Sequence, residues 1–151
     1  MMDFFNYFSR NKNYIVNKIN FEDIQTFINT NVNNKLLINT LNKSKQDCLI
    51  KNTTKAQEEE QIIRKLIEEQ QLSYTIFIYG ENSNDNTVYK KYEQLMELGF
   101  INVYIYTGGI FEWLLLQDIY GHDNFSTTSG ELDILKFKSR SELTSCLLTL
   151  D

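Results

Sequence analysis

The chain has 151 residues, of which 42% are hydrophobic and 13% aromatic, enough to build one compact domain around a core and too few for two. Its formal net charge of -5 argues against a nucleic-acid partner, because phosphate backbones bind positively charged surfaces. No apolar run approaches the roughly 20 residues that span a bilayer, and the first residues contain an acid and no small-residue cleavage site, so we expect a cytoplasmic protein without a membrane partner.

Four segments in the first third of the chain have the periodicity of regular structure. Residues 14–19 alternate in polarity as a short strand does, and residues 21–32 place apolar side chains at helical spacing. Residues 35–41 form the short apolar run of a buried strand, and residues 47–53 form a second, shorter run of the same type. We therefore predict a strand, a helix and then two strands.

The middle of the chain carries the clearest patterns. Residues 54–71 predict a helix, with Thr54 as the N-cap, acids in the first turns and one apolar stripe. The stripe consists of Ile62, Ile63, Leu66 and Ile67. Residues 73–79 predict a strand, because they are rich in β-branched and aromatic side chains and carry no charge.

The alternation continues in the next segments. Residues 87–98 predict a helix that a glycine ends, and residues 101–107 predict a strand. The pair Gly108 and Gly109 predicts a tight turn before a short, very apolar helix over residues 110–120. The inward-facing side chains of the first of these helices are predicted to be Val88, Tyr92, Leu95 and Leu98.

Strands and helices thus alternate, and this order predicts an α/β fold with a mainly parallel central sheet and helices on both faces. Ligands of such sheets bind beyond the carboxyl ends of the strands, where the strand-to-helix loops converge. Three loops should meet at this edge, which we call the rim: residues 39–45, 80–87 and 107–110. The middle loop is the candidate site, and it consists of Gly80, Glu81, Asn82, Ser83, Asn84, Asp85 and Asn86.

The second half of the chain resembles a known family. A strand ends in Tyr-Gly at residues 79–80, and a loop and helix follow it. The sequence Leu-x-x-x-Gly-Phe-x-Asn-Val then occupies residues 95–103, and Gly-Gly-Ile-x-x-Trp occupies residues 108–113. This succession is similar to the second half of a rhodanese domain, and the strand at residues 35–41 is similar to one in its first half.

The resemblance implies a division of the chain. A rhodanese-like domain would cover residues 14–121. Residues 1–13 would be an N-terminal extension, and residues 122–151 would be a C-terminal extension that packs on or near the domain.

The resemblance also implies a sulfur-transfer site, from which this chain departs. Active members carry a persulfide on a cysteine directly after the strand, where this chain has Gly80. Their loop commonly holds a basic residue, where this chain has Glu81 and Asp85, and the arginine after their first-half strand is Leu41 here. Persulfide chemistry needs a thiolate in a cradle of amides at a helix N-terminus. We therefore predict a rhodanese-type loop without its catalytic group, and no cofactor.

Two cysteines are the remaining thiols of the chain. So few thiols in a chain rich in Lys, Glu and Gln predict free cysteines rather than a bridge. Cys48 is either a small buried hydrophobic residue or a displaced nucleophile whose pKa Lys43 or Lys45 would lower, although Asp47 would oppose this effect. Cys146 is predicted to be structural.

Other polar residues offer alternative chemistry. Glu81 and Asp85 could act as a general acid and base or bind a hard cation, but their spacing fits no established calcium loop. His122, the single histidine, lies in a turn-like segment without a second ligand at zinc spacing. We predict a solvated loop histidine and no metal site.

The helix at residues 110–120 has more apolar side chains than one buried stripe uses. Phe111, Trp113 and Leu115 are therefore candidates for an interaction surface. The C-terminal segment could cover this helix with Leu132, Ile134, Leu135 and Phe137. A protein partner or a second copy of the chain could cover it instead, and the second copy would make the protein a homodimer.

Three functional hypotheses follow. The first is a non-catalytic rhodanese-like module, binding or regulatory, that holds a protein or small ligand at the rim or on the Trp113 helix. The second is an atypical sulfurtransferase that uses Cys48. The third is a metal- or anion-dependent hydrolase that uses Glu81 and Asp85, since one branch of the resembled fold contains phosphatases, which also rely on the missing cysteine and arginine. We prefer the first, because a glycine at position 80 cannot attack sulfur.

Overall fold

The structure, a computed structural model, describes residues 15–30 and 33–144. Within them a single sheet of four parallel strands forms the centre of the molecule. The strands are β1 (Lys18–Ile19), β2 (Lys35–Asn39), β3 (Thr75–Tyr79) and β4 (Asn102–Tyr106). Their order across the sheet is β1-β4-β3-β2, so the rim lies where β2, β3 and β4 end side by side.

Within the same described ranges, four helices alternate with the strands. They are α1 (Phe21–Asn29), α2 (Ala56–Glu68), α3 (Thr87–Glu97) and α4 (Gly109–Tyr120). Two short 3-10 helices, Lys43–Lys45 and Ile134–Phe137, lie in the connecting segments. None of the helices in the described ranges is long and apolar enough to cross a bilayer.

The sheet has a core on each face, because successive side chains of a strand point to opposite sides. On one face the strands pack against α1 and α4, and the buried residues include Leu37, Phe77, Tyr79, Tyr106 and Trp113. On the other face they pack against α2 and α3, and the buried residues include Ile38, Ile63, Ile76, Ile78 and Leu95. The predicted α/β fold with a parallel sheet between two helical layers is confirmed.

The segment at residues 47–53 is not a strand of the sheet, and this prediction was wrong. Ile50 alone forms an antiparallel bridge, with Thr127. Cys48, Leu49 and Ile50 are all buried, but they pack between the domain and the chain that follows α4. The apolar run thus reflects burial in a loop, which a short sequence pattern cannot distinguish from burial in a strand.

The predicted start of one helix and the predicted burial of one residue were also wrong. The helix expected at residues 54–71 begins at Ala56 with Lys55 as its N-cap, because the backbone N–H of Thr54 donates to the Leu37 carbonyl (2.8 Å) and so extends the edge of β2. Leu98, expected to face inward, is 49% exposed at the C-terminal end of α3. The start of α2 thus involves a hydrogen bond between residues 54 and 37, which a local pattern does not report.

Candidate functional site

The loop after β3 folds around the carboxylate of Asp85. One carboxylate oxygen accepts a hydrogen bond from the backbone N–H of Glu81 (2.9 Å). The other accepts from the backbone N–H (3.0 Å) and the hydroxyl (2.6 Å) of Thr87, the first residue of α3. We call the N–H groups of Glu81 and Thr87 the amide cradle. The cradle lies at a helix N-terminus, where an anion is stabilised, and here the anion belongs to the chain itself.

Gly80 makes room for this carboxylate. A Cβ atom at position 80 would lie 2.4 Å from an Asp85 carboxylate oxygen and 3.0 Å from a Val88 methyl carbon. A side chain at this position and Asp85 in its present place therefore exclude one another. The absence of a side chain at position 80 and the placement of Asp85 are two parts of one arrangement.

A second glycine fixes the loop from the other side. Gly109 has φ +69°, and a Cβ there would lie within 2.8 Å of backbone atoms of Glu81 and Asn82. This close approach lets the N–H groups of Ile110 and Phe111 donate to the carbonyls of Gly80 (2.9 Å) and Glu81 (2.8 Å). The glycine pair was predicted as a turn before the helix, but α4 begins at Gly109 itself.

The third loop repeats the pairing of a glycine with a carboxylate. A Cβ at Gly108 would lie 2.4 Å from the carboxyl group of Glu112. That carboxylate accepts a hydrogen bond from the hydroxyl of Tyr106 (3.0 Å), the last residue of β4. Burial, then the nearby charge of Glu112, raises the pKa of Tyr106, so this phenol stays protonated. The second carboxylate of the rim is therefore held in place as well.

Lys45 supplies a positive charge to the rim from the loop after β2. Its ammonium group forms an ion pair with Glu81, and both side chains are about one quarter exposed (26% and 22%). Lys45 was one of two lysines predicted to lower the pKa of Cys48, but the structure pairs it with Glu81. Glu81 and Asp85 are thus both engaged with groups of the chain itself.

Cys48 lies beneath the C-terminal segment. The residue is 3% exposed, and its thiol donates a hydrogen bond to the Ser129 carbonyl (3.3 Å). Burial raises the pKa of the Cys48 thiol, and this effect outweighs the hydrogen bonds that lower it. The side chain therefore has the properties of a buried neutral thiol. Cys146 lies outside the described residues.

Residues 131–138, which we call the strap, cross the rim. The side-chain amide of Asn82 donates to the Phe137 carbonyl (2.9 Å), and the Lys45 ammonium donates to the Lys136 carbonyl (3.3 Å). The Phe137 ring is 1% exposed, and the ammonium nitrogens of Lys45 and Lys136 lie 5.8 Å and 5.2 Å from its centroid. Phe137, which was predicted to cover α4, lies in the same buried cluster as Trp113 and Leu114, and its contact with the rim was not predicted.

A polar cleft opens beside the strap. It has a volume of about 520 Å³. Its lining consists of Asn82, Ser83, Asn84, Asn86, Tyr89, Ser139, Arg140 and Glu142. Half of the candidate loop therefore faces a solvent-filled space that hydrogen-bonding side chains surround.

The three residues predicted as an interaction surface on the last helix differ in their burial. Trp113 is fully buried, donates its indole N–H to the Ser126 carbonyl (3.1 Å) and packs edge-to-face on Phe125 (5.0 Å between centroids). It is therefore a core residue rather than a surface residue. Phe111 is partly buried against the same core, while Leu115 is 40% exposed.

The remaining candidates do not gather into a metal site within the described ranges. No group of three or more His, Cys, Asp or Glu residues that could hold a metal ion occurs in residues 15–30 and 33–144. His122 is exposed in the turn after α4, where its carbonyl accepts a hydrogen bond from the Ser126 hydroxyl (2.9 Å).

Solved structures with the same fold come from several organisms. The BH2092 protein from Bacillus halodurans is 15% identical, with a TM-score of 0.58 over 95% of this chain and 96% of that one. The Alr3790 protein from Anabaena is 15% identical, with a TM-score of 0.52 over 88% and 94%. Ygr203w, described as a yeast protein tyrosine phosphatase of the rhodanese family, is 13% identical, with a TM-score of 0.54 over 82% and 99%.

A comparison with curated proteins finds no match. A family model described as the rhodanese-like domain matches residues 12–116, which is more than half of the chain. The fold, the glycine-rich start of α4 and the position of the loop after β3 agree with this match. The chain belongs to the rhodanese-like domain family.

Proposed function

We propose that this protein is a non-catalytic rhodanese-like module that binds a protein or a small ligand at the rim. The observation that carries this proposal is the Asp85 carboxylate in the amide cradle, next to a glycine at position 80. A sulfur or phosphoryl anion would need the N–H groups that Asp85 already uses. Attack on such a substrate would need a nucleophile that Gly80 does not have.

Binding at the rim draws support from its polar surface. The cleft of about 520 Å³ beside the strap offers amide and hydroxyl groups on one side and charged side chains on the other. A surface of this kind recognises a partner through hydrogen bonds without changing it chemically. We infer a cytoplasmic location from the small number of thiols, of which Cys48 is free.

The alternative sulfurtransferase draws less support from the geometry. A nucleophilic thiol must be accessible and largely ionised, whereas Cys48 is 3% exposed and burial raises its pKa. The alternative hydrolase would need free carboxylates, but Lys45 pairs with Glu81 and two backbone N–H groups bind Asp85. The yeast protein Ygr203w is described as a phosphatase, but it is only 13% identical to this chain, and the description applies to that protein.

Assays of sulfur and phosphoryl transfer test the proposal. The purified protein should not transfer sulfur from thiosulfate to cyanide or hydrolyse p-nitrophenyl phosphate, because position 80 bears no nucleophile. The matched control is Cys48→Ser, which should give the same background rate. Turnover that this substitution abolishes, with a persulfide or phosphoryl group on Cys48 by mass spectrometry, would show that the module is an enzyme.

A further inference from the structure

The strap occupies the rim in the way that a bound peptide would. Two of its consecutive backbone carbonyls, those of Lys136 and Phe137, accept hydrogen bonds from the side chains of Lys45 and Asn82. The ring of Phe137 is 1% exposed. One buried aromatic anchor and side-chain donors to a short backbone segment are typical of peptide recognition.

Besides Phe137, the strap contacts the domain through Ile134, which packs against the same buried cluster, while its other large apolar residues are exposed. Leu132 is fully exposed (102%) and Leu135 is 63% exposed, although both are large apolar residues. Among the described residues, the backbone–backbone hydrogen bonds of the strap are internal, from Lys136 to Asp133 and from Lys138 to Leu135. The ion pair of Lys136 likewise joins it to Glu131, within the strap. The strap is therefore held to the domain by the packing of Phe137 and Ile134 and by two side-chain hydrogen bonds.

The connection to the strap allows it to leave. Gly130 precedes it directly, and a Cβ at Gly130 would have no atom within 4 Å. Residues 128–130 are exposed, and the last hydrogen bonds to the domain before the strap are those of Ser129, whose carbonyl accepts from the Cys48 thiol (3.3 Å) and whose hydroxyl donates to the Asp47 carbonyl (2.6 Å). Residues 131–138 contribute no hydrogen bond to the sheet or to the amide cradle, so their detachment would break none of these bonds.

We propose that the strap is a displaceable internal ligand, and that the rim receives a partner-protein segment with an aromatic residue whose backbone carbonyls face Asn82 and Lys45. This inference rests on the proposed function and names the class of partner for the same site. An aromatic side chain in the place of Phe137 would supply the anchor, and its neighbouring carbonyls would take over the two hydrogen bonds.

A synthetic peptide of residues 130–138 tests the proposal on the full-length chain. The peptide can bind only to molecules whose strap has left the rim, so its apparent affinity falls with the fraction of molecules in that state. Phe137→Ala, which lacks the anchor of the strap, should therefore bind the labelled peptide at least about tenfold more tightly than the wild type does. Leu135→Ala is the matched control, because this exposed side chain does not anchor the strap, and it should behave as the wild type does. A peptide with alanine in place of phenylalanine should bind neither chain.

Two results would overturn the proposal. One is equal peptide binding by wild type, Phe137→Ala and Leu135→Ala, or equal binding of the alanine peptide, since the aromatic anchor would then be irrelevant. The other is a hydrogen-exchange measurement on the wild-type protein, which does not depend on the folding of Phe137→Ala. Amides of the strap should exchange with solvent by local opening, much faster than those of β3. Exchange of both segments only by global unfolding would make the strap part of the core. Neither result bears on the sulfur-transfer assay, which tests the non-catalytic function separately.

Discussion

At the residue scale, the candidate site depends on a glycine that makes room for a carboxylate. Gly80 leaves a space beside the amide cradle, and Asp85 fills it with a carboxylate that two backbone N–H groups bind. The helix N-terminus retains its preference for an anion. The anion is a side chain of the protein itself. The attraction between the helix N-terminus and this negative charge therefore stabilises the loop.

The introduction of a cysteine at position 80 should therefore require two substitutions. Gly80→Cys alone should lower the free energy of unfolding by roughly 1–3 kcal/mol, because its Cβ would overlap Asp85. Gly80→Cys with Asp85→Ser should recover most of this loss and place a thiol near the vacated N–H groups, which lowers its pKa. Urea unfolding and the pH dependence of iodoacetamide alkylation, both in a Cys48→Ser and Cys146→Ser background, measure the two effects. Equal stability of the single and double variants would contradict the overlap.

Glu93 makes the stability of α3 depend on pH. This residue is 6% exposed, and burial, followed by the charge of Glu97, raises the pKa of its carboxyl from 4.5 to about 7. A carboxyl with a raised folded-state pKa binds more protons when folded than when unfolded. Its favourable contribution is therefore complete below about pH 4.5 and is lost as the pH rises to about 7.

Glu93→Gln should remove this dependence. At about pH 8 the variant should be more stable than the wild type by on the order of 1–3 kcal/mol, and at about pH 4 the two should be similar. Urea unfolding at both pH values measures the difference. Glu97→Gln is the control, and it should gain less because burial is the larger cause of the shift. An unchanged pH slope in Glu93→Gln would rule out Glu93 as its source.

At the scale of elements, the start of α4 determines the shape of the loop. Gly109 adopts a positive φ, and the next two N–H groups donate to carbonyls of Gly80 and Glu81. The helix that follows carries Trp113 into the core. Loop and helix are therefore one unit, although 28 positions separate residues 81 and 109.

Gly109→Ala should disrupt this unit. A methyl group would lie within 2.8 Å of the loop backbone and would impose a left-handed conformation on alanine, so the unfolding free energy should fall by at least about 1–3 kcal/mol. Gly130→Ala is the matched control, because nothing lies within 4 Å of its Cβ position, and it should change stability by less than about 0.5 kcal/mol. Thermal unfolding of the two variants tests this difference, and similar melting temperatures would contradict it.

At the scale of the whole molecule, the chain beyond α4 completes the core. Phe125 packs against the rings of Phe21, Trp113 and Tyr120, and so connects α1, α4 and the segment that follows. The backbone of this segment also binds the loop at residues 47–53 through Lys51 and Ile50. The segment that contains Phe125 lies beyond the end of the family match at residue 116, yet it covers the hydrophobic face of the sheet.

Phe125→Ala should therefore destabilise the entire domain by about 3–5 kcal/mol, since it leaves a cavity beside Trp113. The control is Leu132→Ala, whose side chain is fully exposed and which should change stability by less than about 0.5 kcal/mol. Trp113 fluorescence during urea unfolding reports both. A small effect of Phe125→Ala on the unfolding midpoint would mean that the C-terminal segment is not part of the folding unit.

The sequence by itself determined the fold class and the chemistry missing at position 80. Alternating buried strands and amphipathic helices have few arrangements other than a parallel sheet between helical layers, and a glycine has no nucleophile in any fold. The tertiary structure alone decided where Glu81, Phe137 and Trp113 lie. Their partners come from different segments of the chain, and local periodicity reports whether a side chain is buried but not which distant residue buries it.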